Sequence, residues 1–274
     1  MTPFQSIILG IIQGITEFLP VSSSAHLIIV PYFLNWDINT QEAFIFDVLV
    51  QVATLLAVII YFWRDLIQII KHFFIGIISL KPFSDPLSRL AWFLIIGTLP
   101  AVIFGLLVKD WVEQAFASAI FTGIALIINS IVLTLAEMIG KRNRVIEKMS
   151  PIDAIWIGIA QALAIFPGIS RSGSTIAGGM AVNLERPAAA RFSFLLSIPA
   201  LIGAGMIASL DLLKIPGSST ILINFIPGFI TAGIVGYFVI RWLLRYLTNH
   251  PLYIFSIYCF FMGIIVLIVN IFRN

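Results

Sequence analysis

Residues 10–24 read GIIQGITEFLPVSSS, and this stretch decides how the beginning of the chain can fold. Pro20 and the serine run after it interrupt an apolar segment that extends over residues 4–34. Residues 158–172, GIAQALAIFPGISRS, repeat the order Gly-Ile-x-Gln, apolar stretch, Pro and Ser-rich turn. Irregular backbone is not tolerated against lipid. Each stretch therefore predicts two short helices that meet at a polar loop enclosed by protein.

The composition indicates that lipid is the solvent of this chain. Hydrophobic residues make up 60 % of it and charged residues 11 %, whereas a soluble domain has roughly 45–50 % and about 25 %. The mean hydropathy is +1.06. So few charges cannot cover the surface of a soluble globule. The composition excludes a soluble enzyme, a nucleic-acid-binding protein and a disordered regulator, and it predicts an integral membrane protein with the bilayer as its partner.

Six segments have the roughly 20 apolar residues that a spanning helix needs. They cover about 43–63, 90–108, 118–139, 192–212, 221–244 and 252–272. Together with the two broken stretches they predict an all-α polytopic membrane protein with six spanning helices and two re-entrant helical hairpins. Residues 66–80 read as an interfacial helix, because Lys71 and His72 interrupt their apolar character.

The positions of Lys and Arg predict the orientation, since inner loops are rich in both. With the loop after the first span inside, the inner loops hold most of the basic residues, among them Arg64, Lys71, Lys81, Arg89, Lys141, Arg142, Arg144 and Lys148. This division requires both hairpins to return to the side from which they enter. It also puts both termini outside.

Each half of the chain then contains one hairpin and three spans, so the second half inserts upside down. We expect one domain, residues 1–274, built from inverted repeats at about 1–140 and 150–274. Inverted repeats with broken helices carry their site near the midplane, where the two breaks meet.

The first loop carries candidate catalytic residues. Gln13 and Glu17 are four positions apart and share one helix face. An ionisable residue in the apolar zone is costly and indicates function, although an interfacial surface glutamate is the alternative. His26 follows within two helical turns. Ser22, Ser23 and Ser24 offer hydroxyls and amides to an anion, or they cap the next helix.

The second loop adds Arg171, flanked by the hydroxyl residues Ser170, Ser172 and Thr175 at the start of a helix. A guanidinium fork beside hydroxyls and a helix N-terminus suits a phosphate. A structural ion pair between Arg171 and Glu17 is the alternative. The combined set fits hydrolysis of a phosphate ester or anhydride on a lipid, with Glu17 as a ligand of a divalent cation and His26 as acid, base or nucleophile.

These residues also carry a family resemblance. QGITEFLPVSSSAH (13–26) together with PGISRSGST (167–175) closely resembles the bacterial undecaprenyl-diphosphatases, the bacitracin-resistance proteins, and the resemblance covers the whole chain. It implies an inner-membrane enzyme that converts undecaprenyl diphosphate to the monophosphate and recycles the carrier lipid for peptidoglycan synthesis. It further implies dependence on Mg²⁺ or Ca²⁺ and a site open to the periplasm.

The resemblance assigns roles to individual residues. Glu17 matches the essential glutamate and His26 the essential histidine. The serines of the first loop match the hydroxyl loop, and Ser170, Arg171, Ser172 and Thr175 match the second motif. Ala25 stands where many members have Gly. Gln13 stands where many have Glu, which weakens its role as a second charged metal ligand.

Several alternatives stay open at the level of sequence. Ser23, His26 and a metal-activated water all remain candidates for the nucleophile. A lipid flippase or transporter would use the same inverted-repeat cavity. Small residues such as Gly203 and Gly205 leave room for helix contacts in a homodimer.

Overall fold

The computed structural model describes residues 1–108, 119–212 and 218–273, and this part of the chain folds into α-helices joined by short turns. The α-helices of the described residues are α1 (Pro3–Thr16), α2 (Ser23–Phe33), α3 (Thr40–Tyr61), α4 (Trp63–Ile78), α5 (Pro86–Leu107), α6 (Ala119–Ile139), α7 (Pro151–Leu163), α8 (Arg171–Ala181), α9 (Arg186–Leu212), α10 (Ser218–Asn249) and α11 (Tyr253–Arg273). The all-α class predicted from the sequence is confirmed.

Six of these helices are long and apolar enough to cross a membrane, and they lie in α3, α5, α6, α9, α10 and α11. They coincide with the six predicted spans, of which the third began at position 118, outside the described residues. Several bounds differ from the prediction by a few residues, and the largest difference is in α9, which begins at Arg186 rather than at 192. Helix α5 begins at Pro86 because Asp85 caps it by accepting hydrogen bonds from the amides of Leu87 and Ser88, and α10 continues to Asn249.

Short helices occupy both broken stretches, and their first members start alike. Thr2 caps α1 and Ser150 caps α7, each followed by Pro and each in a reciprocal capping box. In the second box the acidic partner is Asp153. Burial opposes its charge, but hydrogen bonds from Arg144 and Ser150 hold the pKa of this carboxyl below its usual value.

The second members of both pairs also start alike. Ser22 accepts a hydrogen bond from the amide of Ala25 to cap α2, and Ser170 accepts one from the amide of Gly173 to cap α8. The serines that follow each break thus terminate one helix and begin the next. The predicted breaks are present, while the path of the two hairpins relative to a bilayer stays a prediction.

The two halves of the chain pack crosswise. Helix α1 lies against α10 and α7 lies against α5. A Cβ at Gly10 would overlap the carbonyl oxygen of Gly228, and a Cβ at Gly158 would overlap that of Gly97. The first short helix of each half therefore touches the second span of the other half, backbone against backbone. Contact this close is the usual role of glycine between membrane helices.

The outer faces of the spanning helices are apolar. Large side chains such as Ile60, Ile103 and Phe261 are exposed there, while the phenylalanines Phe18, Phe192 and Phe194 are fully buried in the centre. An apolar exterior is what hydrocarbon surroundings allow. The interfacial segment expected at 66–80 forms α4, which is tied to α9 by an ion pair between Asp65 and Arg191 at 2.9 Å.

Candidate active site

The two breaks lie side by side in the interior. The hydroxyl of Ser172 donates to the carbonyl oxygen of Leu19 at 3.0 Å. A longer contact of 3.5 Å joins the amide of Gly168 to Ser24 Oγ. The first loop is therefore held directly against the second, as the repeat pattern predicts.

Glu17 is the centre of the polar cluster between the loops. It is the C-cap residue of α1 and is 8 % exposed. Its Oε1 accepts a hydrogen bond from Arg171 Nη2 at 2.8 Å. Its Oε2 accepts hydrogen bonds from Gln13 Nε2 at 3.0 Å and from Ser23 Oγ at 2.7 Å. A buried carboxylate is retained only with such partners, so Glu17 lies inside the cluster rather than on an interfacial surface.

Two atoms around Glu17 are buried without a hydrogen-bond partner among the described residues. They are Arg171 Nη1, a donor, and Gln13 Oε1, an acceptor. Native structures leave few buried polar atoms unpaired, and each one calls for an explanation. Both atoms belong to side chains that already contact Glu17, so the cluster contains one buried donor nitrogen and one buried acceptor oxygen that the described residues do not pair.

Ser22 connects His26 to the other serines of the first loop. Its backbone has φ +71°, in the left-handed region that non-glycine residues rarely adopt. Its hydroxyl contacts Ser24 Oγ at 3.2 Å while its carbonyl oxygen lies 2.7 Å from His26 Nδ1. The unusual backbone therefore aims the two polar groups of one residue at different neighbours.

His26 is buried, at 4 % exposure, but its hydrogen-bond partners lie apart from the glutamate. Nδ1 contacts the Ser22 carbonyl, and Nε2 contacts the hydroxyl of Tyr258 at 2.6 Å. Neither partner is Glu17, Ser23 or Arg171. The structure thus brings carboxylate, serine and arginine together directly and connects the histidine to them through the first loop.

The hydroxyls of the second motif are engaged within the chain. Ser170 Oγ caps α8 and lies 3.1 Å from Ser172 Oγ. Thr175 Oγ1 donates to helix carbonyls of its own turn and lies 2.5 Å from Ser193 Oγ. Ser170, Ser172 and Thr175, three of the residues predicted to bind phosphate, are buried. In this arrangement they shape the loop around Arg171, and their contact with phosphate stays a prediction.

Asn129 ties the two loops together. Its Nδ2 donates to the carbonyl oxygen of Pro20 at 2.9 Å, and its Oδ1 accepts from the amide of Ser170 at 3.3 Å. The same Nδ2 lies 3.3 Å from the sulfur of Cys259. The sequence signal that could have identified Asn129 is a polar amide within an apolar span. In the structure this side chain is fully buried.

The donor set around Glu17 also bears on the expected metal. Within the described residues there is no cluster of three or more His, Cys, Asp and Glu side chains that could hold a metal ion. Glu17 offers one carboxylate and Gln13 one unpartnered carbonyl oxygen. Mg²⁺ typically takes one or two carboxylates and completes its shell with water and phosphate oxygens. The residues present therefore fit a divalent cation that arrives together with a phosphate.

Six apolar spans around two broken helices, with a buried Glu–Arg pair where the breaks meet, define a polytopic α-helical membrane protein with an internal polar site. The chain belongs to the family of bacitracin resistance protein BacA, whose model matches residues 6–265.

Curated relatives match almost the whole chain. A protein of Thermomicrobium roseum is 43 % identical over 98 % of this chain and 98 % of its own length. One of Methanosphaera stadtmanae is 43 % identical over 97 % of each chain. One of Chlorobium phaeovibrioides is 42 % identical over 98 % of this chain and 97 % of its own. Each of these relatives is named undecaprenyl-diphosphatase.

Proposed function

We propose that the protein hydrolyses undecaprenyl diphosphate to undecaprenyl phosphate and inorganic phosphate, and so recycles the carrier lipid for peptidoglycan synthesis and confers bacitracin resistance. The observation that carries this proposal is the buried Glu17–Arg171 pair with two unpartnered polar atoms beside it. The names of the relatives support the same activity and favour it over a lipid flippase or transporter.

Arg171 binds the terminal phosphate. Its Nη2 is bound to Glu17, and its buried Nη1, which has no partner among the described residues, can donate to a phosphate oxygen. The charge of the guanidinium offsets the negative charge on the equatorial oxygens of a phosphoryl group in transfer. A divalent cation held by Glu17 and Gln13 Oε1 would supply further charge neutralisation at the diphosphate.

Ser23 is the nucleophile that the contacts favour, because its Oγ lies 2.7 Å from Glu17 Oε2. Glu17 takes the hydroxyl proton as Oγ forms a bond to the terminal phosphorus, and the bond from that phosphorus to the bridging oxygen breaks. Undecaprenyl phosphate leaves, and water then hydrolyses the phosphoserine to release inorganic phosphate. Attack by His26 or by water would instead leave Ser23 unmodified.

The membrane setting is proposed from charge and topology. Six apolar helices support a multi-pass protein, and the basic residues in the loops after α3 and α6 support an inner-membrane orientation with those loops inside. The Glu17 break then opens toward the periplasm. The homodimer expected from Gly203 and Gly205 stays a prediction.

The test is phosphate release from undecaprenyl diphosphate by the purified protein in detergent. We expect turnover with Mg²⁺ or Ca²⁺ and none after chelation with EDTA. Glu17→Gln and Arg171→Lys should each lower kcat by about a hundredfold or more. Asp65→Asn and Arg191→Lys are matched controls, since they alter the peripheral pair between α4 and α9, and they should keep wild-type turnover.

Two outcomes would contradict the proposal. Full turnover in both Glu17→Gln and Arg171→Lys would remove these residues from the site. Movement of labelled lipid across proteoliposome membranes without phosphate release would support a transporter instead. Rapid quenching and peptide mass spectrometry would show whether phosphate is attached to Ser23, to His26 or to neither.

A further inference from the structure

The imidazole of His26 is held at both nitrogens. Nδ1 lies 2.7 Å from the carbonyl oxygen of Ser22, and Nε2 lies 2.6 Å from the hydroxyl of Tyr258. The planes of the two rings are 10° apart, with their centroids separated by 5.6 Å. Tyr258 stands 232 positions further along the chain, so this contact joins the first loop to the last spanning helix, α11.

The partners fix the tautomer of the neutral ring. A carbonyl oxygen can only accept, so Nδ1 carries the hydrogen and donates it to Ser22. Nε2 is then the basic nitrogen, and the tyrosine hydroxyl donates to its lone pair. The Tyr258 hydroxyl therefore contacts the one ring nitrogen that could accept a proton.

Tyr258 is well placed to hold this orientation. Cys259, the next residue, is fully buried and contacts the carbonyl of Pro20 in the first loop and the amide of Asn129. These contacts fix α11 against the loop that carries His26. Tyr258 itself is 43 % exposed, whereas His26 is 4 % exposed, so the tyrosine separates the buried imidazole from the surroundings of the helix bundle.

We propose that Tyr258 is a positioning residue for the reaction: its hydroxyl binds His26 Nε2 and its ring fixes the imidazole plane, so that His26 keeps one tautomer and one orientation beside the first loop. The proposal rests on the proposed phosphatase function. It does not make Tyr258 a catalytic residue, since Tyr258 acts through His26.

Tyr258→Phe tests the proposal because it keeps the ring and removes only the hydroxyl. We expect kcat for undecaprenyl diphosphate to fall about tenfold, part of the contribution of a positioned acid or base, while KM stays unchanged. Tyr258→Leu should lower kcat further because it also removes the ring. Tyr253→Phe, on the same helix, is the matched control and should leave both constants unchanged.

A second measurement reports on His26 directly and needs no turnover. Diethyl pyrocarbonate modifies a free imidazole nitrogen, so His26 should react faster in Tyr258→Phe than in the wild type. His250 is exposed and serves as the internal standard in the same peptide analysis.

The two measurements separate the possible failures. Wild-type kcat in Tyr258→Phe would overturn the proposal, as would an unchanged rate of His26 modification. A fall in kcat together with a changed KM and a lower thermal stability would also overturn it, because these changes would show a merely structural role. If the wild-type protein released no phosphate, the phosphatase function itself would fail, and the modification rate would still decide whether Tyr258 covers Nε2.

Discussion

Arg171 Nη2 lies 2.8 Å from Glu17 Oε1 although 154 positions of the chain separate the two residues. The pair is largely buried, with 16 % of the arginine side chain and 7 % of the glutamate side chain exposed. Removing one partner of such a pair leaves an uncompensated buried charge, whereas removing both does not. The contact therefore contributes to stability as well as to the proposed phosphate site.

Single and double substitutions of this pair should separate the two contributions. We predict that Arg171→Gln lowers the free energy of unfolding by about 3–5 kcal/mol, and that Glu17→Gln/Arg171→Gln is more stable than Arg171→Gln alone. Thermal unfolding in detergent measures the difference. Equal stability of the single and double variants would mean that the two charges are not coupled.

The Asn129 tether predicts a loss of activity from a residue with no role in the chemistry. Asn129→Leu leaves the Ser170 amide unpaired, at a cost of about 1–3 kcal/mol, and leaves the Pro20 carbonyl with only its weak contact to Cys259 Sγ. We expect lower kcat in the phosphate-release assay and lower thermal stability. Ser130→Ala is the control. It removes a polar contact between the neighbouring residue of α6 and Ser256 of α11, and it should leave kcat unchanged.

The close helix crossing at Gly158 predicts a steric effect. A Cβ there would overlap the backbone of Gly97, so Gly158→Ala must push α7 away from α5. We expect a loss of about 1–3 kcal/mol in the free energy of unfolding. A Cβ at Gly203 would meet no atom within 4 Å, so Gly203→Ala should be neutral or slightly stabilising. Similar losses at both positions would argue against the crossing.

Substitution of Glu137, which lies outside the proposed site, should greatly lower the free energy of unfolding. Its side chain is 1 % exposed and binds Arg142 and Arg186, and it also accepts from the amide of Leu252. Glu137→Ala leaves both arginines without this partner, and we expect a loss of about 3–5 kcal/mol. Glu147→Ala, at an exposed residue of the connection that follows α6, is the control. Urea or thermal unfolding of both variants checks the prediction, which an equal effect of the two would contradict.

The sequence predicts the helical class and the breaks because these depend on local signals. Length and hydropathy identify the spans, and Pro20 with the serines after it marks the first break. The repeat of Gln13 in Gln161 shows that the second break belongs to the same arrangement, and from there the proximity of Glu17 and Arg171 follows.

The remaining site residues depend on contacts between distant parts of the chain. Asn129 bonds to Pro20 across 109 positions and Tyr258 to His26 across 232. An amide such as Asn129 is unusual in an apolar helix, but the residues that it contacts lie far from it in the sequence. Tyr258 has no distinguishing signal at all among the many aromatic residues of the spans. The start of α5 at Pro86 also differs from the predicted start at 90, because the residue that caps this helix, Asp85, lies outside the apolar stretch.

The packing of α1 on α10 has a consequence for biogenesis. Ser6 accepts a hydrogen bond from the amide of Gly228, which is made 222 positions later. At the usual 5–20 residues per second of translation, the part of α10 that packs against α1 is synthesised roughly 10–45 s after α1. Arg171 is made 154 positions after Glu17, so for roughly the first 8–31 s the nascent chain carries this carboxylate without its arginine. The first half of the chain can therefore reach its final structure only after the second half has been inserted. We expect a chain that ends between the two halves to be degraded by membrane proteases.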